Sequence, residues 1–258
     1  MIGRYVRNEK GNTLLVIIGL LVGAIFISFI FFDFFTTYAN KRVSQTSADA
    51  AVLAAANEIK EAYDEKLKSE IEIRMDRLRE VANEFVQEKI DEITDENTEE
   101  DEEGNPVPPP SLTAREIDAI WEWVLDKMQI PSELRKAVRY PHEEVDANVA
   151  LRYFFKNVWY KAWFSREVKE INEVACEAIE RSEPRWMDAA KYFAVKNGAE
   201  DDVEIIFKGK EFKVMARVKK SASFITVKDQ SFGAGEQDVY AEAEASIKTP
   251  KGIDIKCK

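Results

Sequence analysis

A chain of 258 residues has room for a membrane anchor with one body, or for two small domains, and is too short for a multi-domain enzyme assembly. Its net charge of −11 is spread over a sequence with 33% charged residues, which favours solubility and excludes a nucleic-acid partner, because a phosphate footprint needs clustered Lys and Arg. Two cysteines and one histidine exclude a Cys-rich scaffold and a CxxC-type zinc site, and leave His142 as the single imidazole for any Ser-His-Asp set.

The extreme N-terminus is basic, with Arg4, Arg7 and Lys10 against Glu9. From Thr13 to Phe32 no residue is charged, and a helix of about twenty residues matches the roughly 30 Å hydrocarbon thickness of a bilayer. The expected segment is a transmembrane helix over 13–33 that follows a cytoplasmic stretch over 1–12. The basic flank predicts the N-terminus inside and the remainder outside the cytoplasm, and Lys41 and Arg42 on the far side work against that bias. Thr37-Tyr38-Ala39 offers a signal-peptidase pattern, but the apolar run is longer than a secretory signal core, so a retained anchor is expected. Gly19 and Gly23 stand four apart, a spacing that lets a partner helix approach closely. Asp33 closes the run and is expected at the far interface, within reach of headgroups and water.

No proline or glycine follows until well past the membrane, so the helix is expected to continue as an extended helix over 34–93. Ala50, Ala51, Ala54 and Ala55 lie in a smooth alanine-rich stretch on which another element can pack. Ile59, Tyr63, Leu67, Ile71 and Met75 fall four apart, and Leu78, Ala82 and Phe85 extend the stripe. The acidic and proline-rich stretch over 94–112 reads as a linker, since its carboxylates lack the D-x-D-x-D-G spacing of a calcium loop.

A helical region is expected over 113–198. Thr113 and Glu116 have capping-box spacing, and Ile117, Ile120, Trp121, Val124, Leu125 and Met128 form an apolar face behind them. A short helix over 132–139 follows, then a longer one starting after Pro141 that carries Leu151, Phe154, Phe155, Val158, Trp159, Ala162 and Trp163. Trp121, Phe155, Trp159 and Trp163 read as core packing, and His142 as an exposed helix start. Periodicity persists through Ile179, breaks near Pro184 and resumes through Phe193. From 199 to 258 the period falls to two: Val203–Phe207 and Phe212–Val218 read as a hairpin, Val239–Lys248 as a further strand, and Ile225, Val227, Ile253 and Ile255 as short edge strands. The spacing of Cys176 and Cys257 leaves open both a disulfide and two unpaired thiols.

Glu9-Lys10-Gly11-Asn12, the apolar run, Asp33 behind it, and Ser47-Ala48-Asp49-Ala50-Ala51 leading to Ala54-Ala55-Ala56 together resemble the TadE/TadG-type proteins of Flp (Tad) pilus assembly over about the first 60 residues. VYAEAEASIK near the C-terminus is similar to the strand that closes such proteins. The resemblance implies an α+β, pilin-like arrangement: one N-terminal transmembrane helix continuing into a long helix, a mostly helical extracytoplasmic body and a small C-terminal antiparallel sheet. Val16 stands where a processed prepilin would carry glutamate after a cut behind Gly11, which argues against prepilin-peptidase cleavage. The D-x-S-x-S metal motif of longer relatives is missing, so that metal site is not carried over.

The expected function is therefore a non-enzymatic, membrane-anchored component of a Flp-type pilus or related secretion apparatus, with the bilayer, other membrane proteins of the apparatus and further copies of itself as partners. Its working parts are Asp33, Gly19, Gly23 and the alanine face, with no catalytic residue, cofactor or metal. The alternatives are an anchored sensor or adaptor that binds a ligand in the aromatic cluster, and a carboxylate-dependent hydrolase, for which no HExxH, GxSxG or phosphate loop is present.

Overall fold

The computed structural model of the protein describes residues 9–96, 111–157, 160–161, 170–223 and 236–258. The basic N-terminal residues Arg4 and Arg7, residues 97–110 of the linker expected over 94–112, Val158, Trp159, Ala162, Trp163, Ile225 and Val227 lie outside the described residues. The fold is α+β, as the change of period implies: a long apolar N-terminal helix, further helices, and a three-stranded antiparallel sheet near the C-terminus.

Helix α1 runs without interruption from Glu9 to Glu96. From Ala24 onward the sequence offers it neither proline nor glycine, and pairs such as Lys66–Glu70 and Arg77–Glu80 sit three or four residues apart on its surface. Such pairs add a few tenths of a kcal/mol each, about 0.2–0.5; the rest of the stabilisation beyond the apolar run comes from the buried face. The other helices are α2 (Ala114–Lys127), α3 (Ser132–Arg139), α4 (Ala147–Lys156), α5 (Ile171–Arg181) and α6 (Glu183–Lys196). The strands are β1 (Val203–Lys208), β2 (Lys213–Ser223) and β3 (Glu236–Ser246), in the order β1-β2-β3.

The chain divides into two compact units that do not follow its linear order: Met1–Ile59 joins Glu183–Ile247 in one, and Lys60–Ser182 joins Lys248–Lys258 in the other. In the first, alternation sets the sheet. Val203 and Ile205 on β1, Val214, Ala216 and Val218 on β2, and Ala241 and Ala243 on β3 are buried, in a register that pairs Val203 with Val218 and Ala216 with Ala243. The opposite face carries Arg217 beside Glu242 and Lys219 beside Asp238. Helix α6 buries Trp186, Ala190 and Ala194, a strict i, i+4 line.

In the second unit, the stripe on α1 is buried as its spacing predicts: Ile59, the last residue of the first unit, begins it, and Tyr63, Leu67, Ile71, Met75, Leu78 and Ala82 follow. Helix α2 starts with the full capping box between Thr113 and Glu116 and buries Ile120, Val124 and Leu125. Tyr153, Phe154 and Tyr160 form an aromatic cluster with centroids 4.9–5.5 Å apart, and the Tyr153 hydroxyl donates to the Met128 carbonyl at 2.9 Å. Cys176 and Cys257 form a disulfide that ties α5 to the end of the chain, resolving the alternative the sequence left open.

Two local expectations change. The helix predicted after Pro141 starts only at Ala147, because the Asp146 side chain accepts from the backbone N–H groups of Asn148 and Val149 and so supplies the N-cap; His142 is exposed in the turn ahead of it. Ile253 and Ile255 are not edge strands. They are buried, but in irregular chain, where Lys156 donates to the Gly252 carbonyl at 2.6 Å and the Lys256 N–H donates to Asn172 at 3.3 Å.

Candidate interaction surfaces

The apolar run is the first surface. From Leu14 to Phe35 its large side chains are exposed, with none of the most apolar window buried inside the molecule. Apolar area left in water costs about 25 cal/mol per Å², so a stretch of this kind needs a non-aqueous or protein surround, and its length suits a bilayer. Gly19 and Gly23 face open space, with nothing within 4 Å of where a β-carbon would sit. The run is also where backbone carbonyls accept from Ser28 and Thr36 hydroxyls four residues on, so those polar side chains are satisfied within the helix.

Asp33 differs from its surroundings. It is 8% exposed, whereas Phe32 and Phe34 on either side are 53% and 67% exposed. The sequence placed this carboxylate at the interface in reach of water, and its burial is not a feature that hydropathy reveals.

The alanine stretch splits into two faces. Ala48, Ala51 and Ala55 are fully buried in the first unit, while Ala50 and Ala54 are half-buried and Leu53 between them is exposed. Small side chains here let other backbone come close. The Ser47 hydroxyl lies 2.8 Å from the Val43 carbonyl and 2.9 Å from the Asn197 carbonyl at the end of α6, and Gln45 donates to the Glu242 carbonyl on β3 at 3.3 Å. At the other end of α6, Arg185 pairs with Glu58. Helix α6 therefore runs antiparallel to this part of α1. Ser44 and Ser47 are buried without penalty because each hydroxyl reaches a carbonyl four residues back.

The second unit holds a groove of about 1210 Å³. Its floor is the α1 stripe from Tyr63 to Met75 with Leu151, and its walls are α1, the chain from Pro141 to Asn148, and Lys248–Lys251. The Tyr63 hydroxyl donates to the Lys248 carbonyl at one end, and Arg79 donates to the Ala137 carbonyl of α3 at 2.9 Å at the other. Burial, reinforced by Asp64, raises the pKa of Tyr63 well above the usual phenol range. Trp121 does not line this groove, and Trp159 and Trp163, the other tryptophans of the alternative ligand-binding reading, lie outside the described residues. Beside it, Arg74 is buried with its guanidinium 4.0 Å from the Phe155 ring and 3.6 Å from Glu70, and burial lowers its pKa. No cluster of three metal-binding side chains occurs among the described residues.

Residues 11–58 match the family model described as putative Flp pilus-assembly TadE/G-like. The matched stretch lies wholly on α1 and contains Gly19, Gly23, Asp33 and the alanine face. No curated protein and no solved structure matches the chain.

Proposed function

We propose that this chain is a membrane-anchored, non-enzymatic component of a Flp-type pilus or a related secretion apparatus. The observation that carries the reading is the coincidence on one helix of the pilus-assembly match over 11–58 and an exposed apolar run long enough to cross a bilayer. The helix anchors the chain by partition of that run into lipid. Its body lies outside the cytoplasm: the basic residues flank the N-terminal end, and a disulfide persists in an oxidising compartment.

In this role the helix works by lateral packing. Gly19 and Gly23 admit a neighbouring helix backbone, and Asp33, buried at the edge of the apolar run, holds the helix there in the form that neighbouring membrane proteins of the apparatus meet. Ala51 and Ala55 serve the fold of the unit itself, which leaves Ala50, Ala54 and Leu53 as the part of the stretch open to partners.

Protease added to intact cells, after permeabilisation of any outer membrane, is expected to digest the chain beyond Asn40 while the anchor fragment resists alkaline extraction. A body protected from protease, or a chain released by alkali, removes the topology and the pilus reading with it. Asp33→Leu is expected to insert normally and to lose co-purification with the membrane platform of the apparatus; undiminished co-purification takes Asp33 out of the mechanism.

A further inference from the structure

Residues 248–258 belong to the second unit but to none of its helices and to no strand. Over 252–258 the side chains alternate: Ile253, Ile255 and Cys257 are buried, and Gly252, Asp254, Lys256 and Lys258 are exposed. Alternation of this kind belongs to an extended segment that lies on an apolar seat. The segment is a strap without the backbone ladder that a strand would have.

Among the described residues, its ties to the rest of the unit are few. The Tyr63 hydroxyl donates to the Lys248 carbonyl, and Lys156 donates to the Gly252 carbonyl at 2.6 Å. Beyond Gly252 the Lys256 N–H donates to Asn172 at 3.3 Å, and the adjacent Cys257 is bonded to Cys176 on α5. Ordering the backbone of one residue costs at least as much as one hydrogen bond returns on balance. Two isoleucines and these bonds would have to offset the ordering of the whole segment, which is more than they supply. The disulfide makes up the difference, because a strap already fastened at Cys257 has little freedom left to lose.

We propose that residues 250–258 are a redox-operated strap, closed over the second unit when Cys176 and Cys257 are joined and released from it when they are thiols. Closure forms one S–S bond. The Cys257 thiolate on the loose strap attacks the disulfide of a thiol–disulfide exchange protein and expels one of its sulfurs as a thiolate; the Cys176 thiolate then attacks the Cys257 sulfur and expels the other. The two cysteines lose two protons and two electrons, and the exchange protein leaves as a dithiol. Closing also fixes one wall of the groove, to which Thr249, Pro250 and Lys251 belong. The timing of closure rests on the topology of the pilus reading: a body outside the cytoplasm meets such an oxidant after it has crossed the membrane, so the groove is completed there.

The test is hydrogen–deuterium exchange, read by mass spectrometry on the full chain in detergent micelles, oxidised and after reduction with dithiothreitol. Amides over 251–258 are expected to exchange at least about tenfold faster after reduction, while those of α2 and α4 stay far slower than the strap. Oxidised glutathione, as the probe disulfide, should restore slow exchange. Cys257→Ser should exchange over 251–258 like the reduced parent and ignore dithiothreitol, and Cys176→Ser should leave Cys257 open to a maleimide in the folded chain. The proposal is overturned if the strap stays protected in the reduced chain, which would make the bond a brace on a segment that holds itself. It is equally overturned if α2 and α4 become as fast as the strap, since reduction would then open the whole unit. Protease added to intact cells reads the topology separately: a protected body strikes the timing and the pilus reading, whereas a strap that fails in micelles leaves both readings of the anchor untouched.

Discussion

Gly198 and Val43 approach so closely that a β-carbon on Gly198 would lie 2.9 Å from the Val43 Cγ1 atom, and Gly198 holds φ at +97°. This contact sits where α6 ends against α1, with Lys220 donating to the Gly198 carbonyl at 2.9 Å. Both the left-handed backbone and the close approach demand a residue without a side chain.

Gly198→Ala is therefore expected to destabilise the first unit by about 2–4 kcal/mol, from the strained φ and the clash together. Gly252 also has a positive φ, +76°, but meets nothing within 4 Å, so Gly252→Ala should cost only about 1 kcal/mol. Urea denaturation of the two variants in detergent, compared with the parent, reads the difference; equal costs would show that the Val43 contact contributes nothing.

The bond between Cys176 and Cys257 closes a separation of 81 residues. Removing it with Cys257→Ser should lower stability by about 2–5 kcal/mol. The same loss is expected when the parent is reduced, and reductant should leave Cys257→Ser unchanged. Identical unfolding of oxidised and reduced parent would contradict the tie between α5 and the chain end.

Arg74 stacks on Phe155 and pairs with Glu70 inside the second unit. Lysine keeps the charge but loses the planar face, so Arg74→Lys should fail to restore parental stability and cost about 1–3 kcal/mol. Full recovery by lysine, measured by thermal unfolding, would show that charge alone matters at this position.

Tyr63, Tyr153 and Tyr160 all have raised pKa values because burial disfavours their phenolates, with Tyr160 pushed up to about 12 despite the nearby Arg74 and Arg77. The folded chain therefore binds these protons more tightly than the unfolded chain. Their contribution is fully present below the ordinary phenol pKa of about 10 and is lost as pH rises through the folded values. Of the eight tyrosines, these three should ionise late, together with unfolding. Ultraviolet absorbance of tyrosinate against pH, read beside circular dichroism, would show all eight ionising before any loss of structure if the burial were not as described.

Much of this protein was legible in one dimension. Periodicity of four along Tyr63, Leu67, Ile71 and Met75 predicts the buried face of α1, because a helix repeats every 3.6 residues wherever its partner lies. Alternation in Val203–Phe207 and Val239–Lys248 predicts strands for the same reason, with a period of two, although the last strand ends at Ser246. Thr113 and Glu116 announce a helix start because a cap is made between near neighbours. The apolar run from Thr13 and the soft motifs around Asp33 and Ala50 suffice for the resemblance over the first 60 residues, since both are properties of contiguous sequence.

What tertiary structure decided involves residues far apart in the chain. Whether Cys176 meets Cys257, that Ile253 and Ile255 bury without joining the sheet, and that Ala51 and Ala55 are covered while Ala50 and Ala54 are not, all depend on which segments return to α1. The groove likewise exists only after residues 60–79 meet 141–151 and 248–251, and the outer face of α6 only after its Trp186 line turns inward. Local propensity fixes the period of each element; only long-range packing fixes which face is left to meet another molecule.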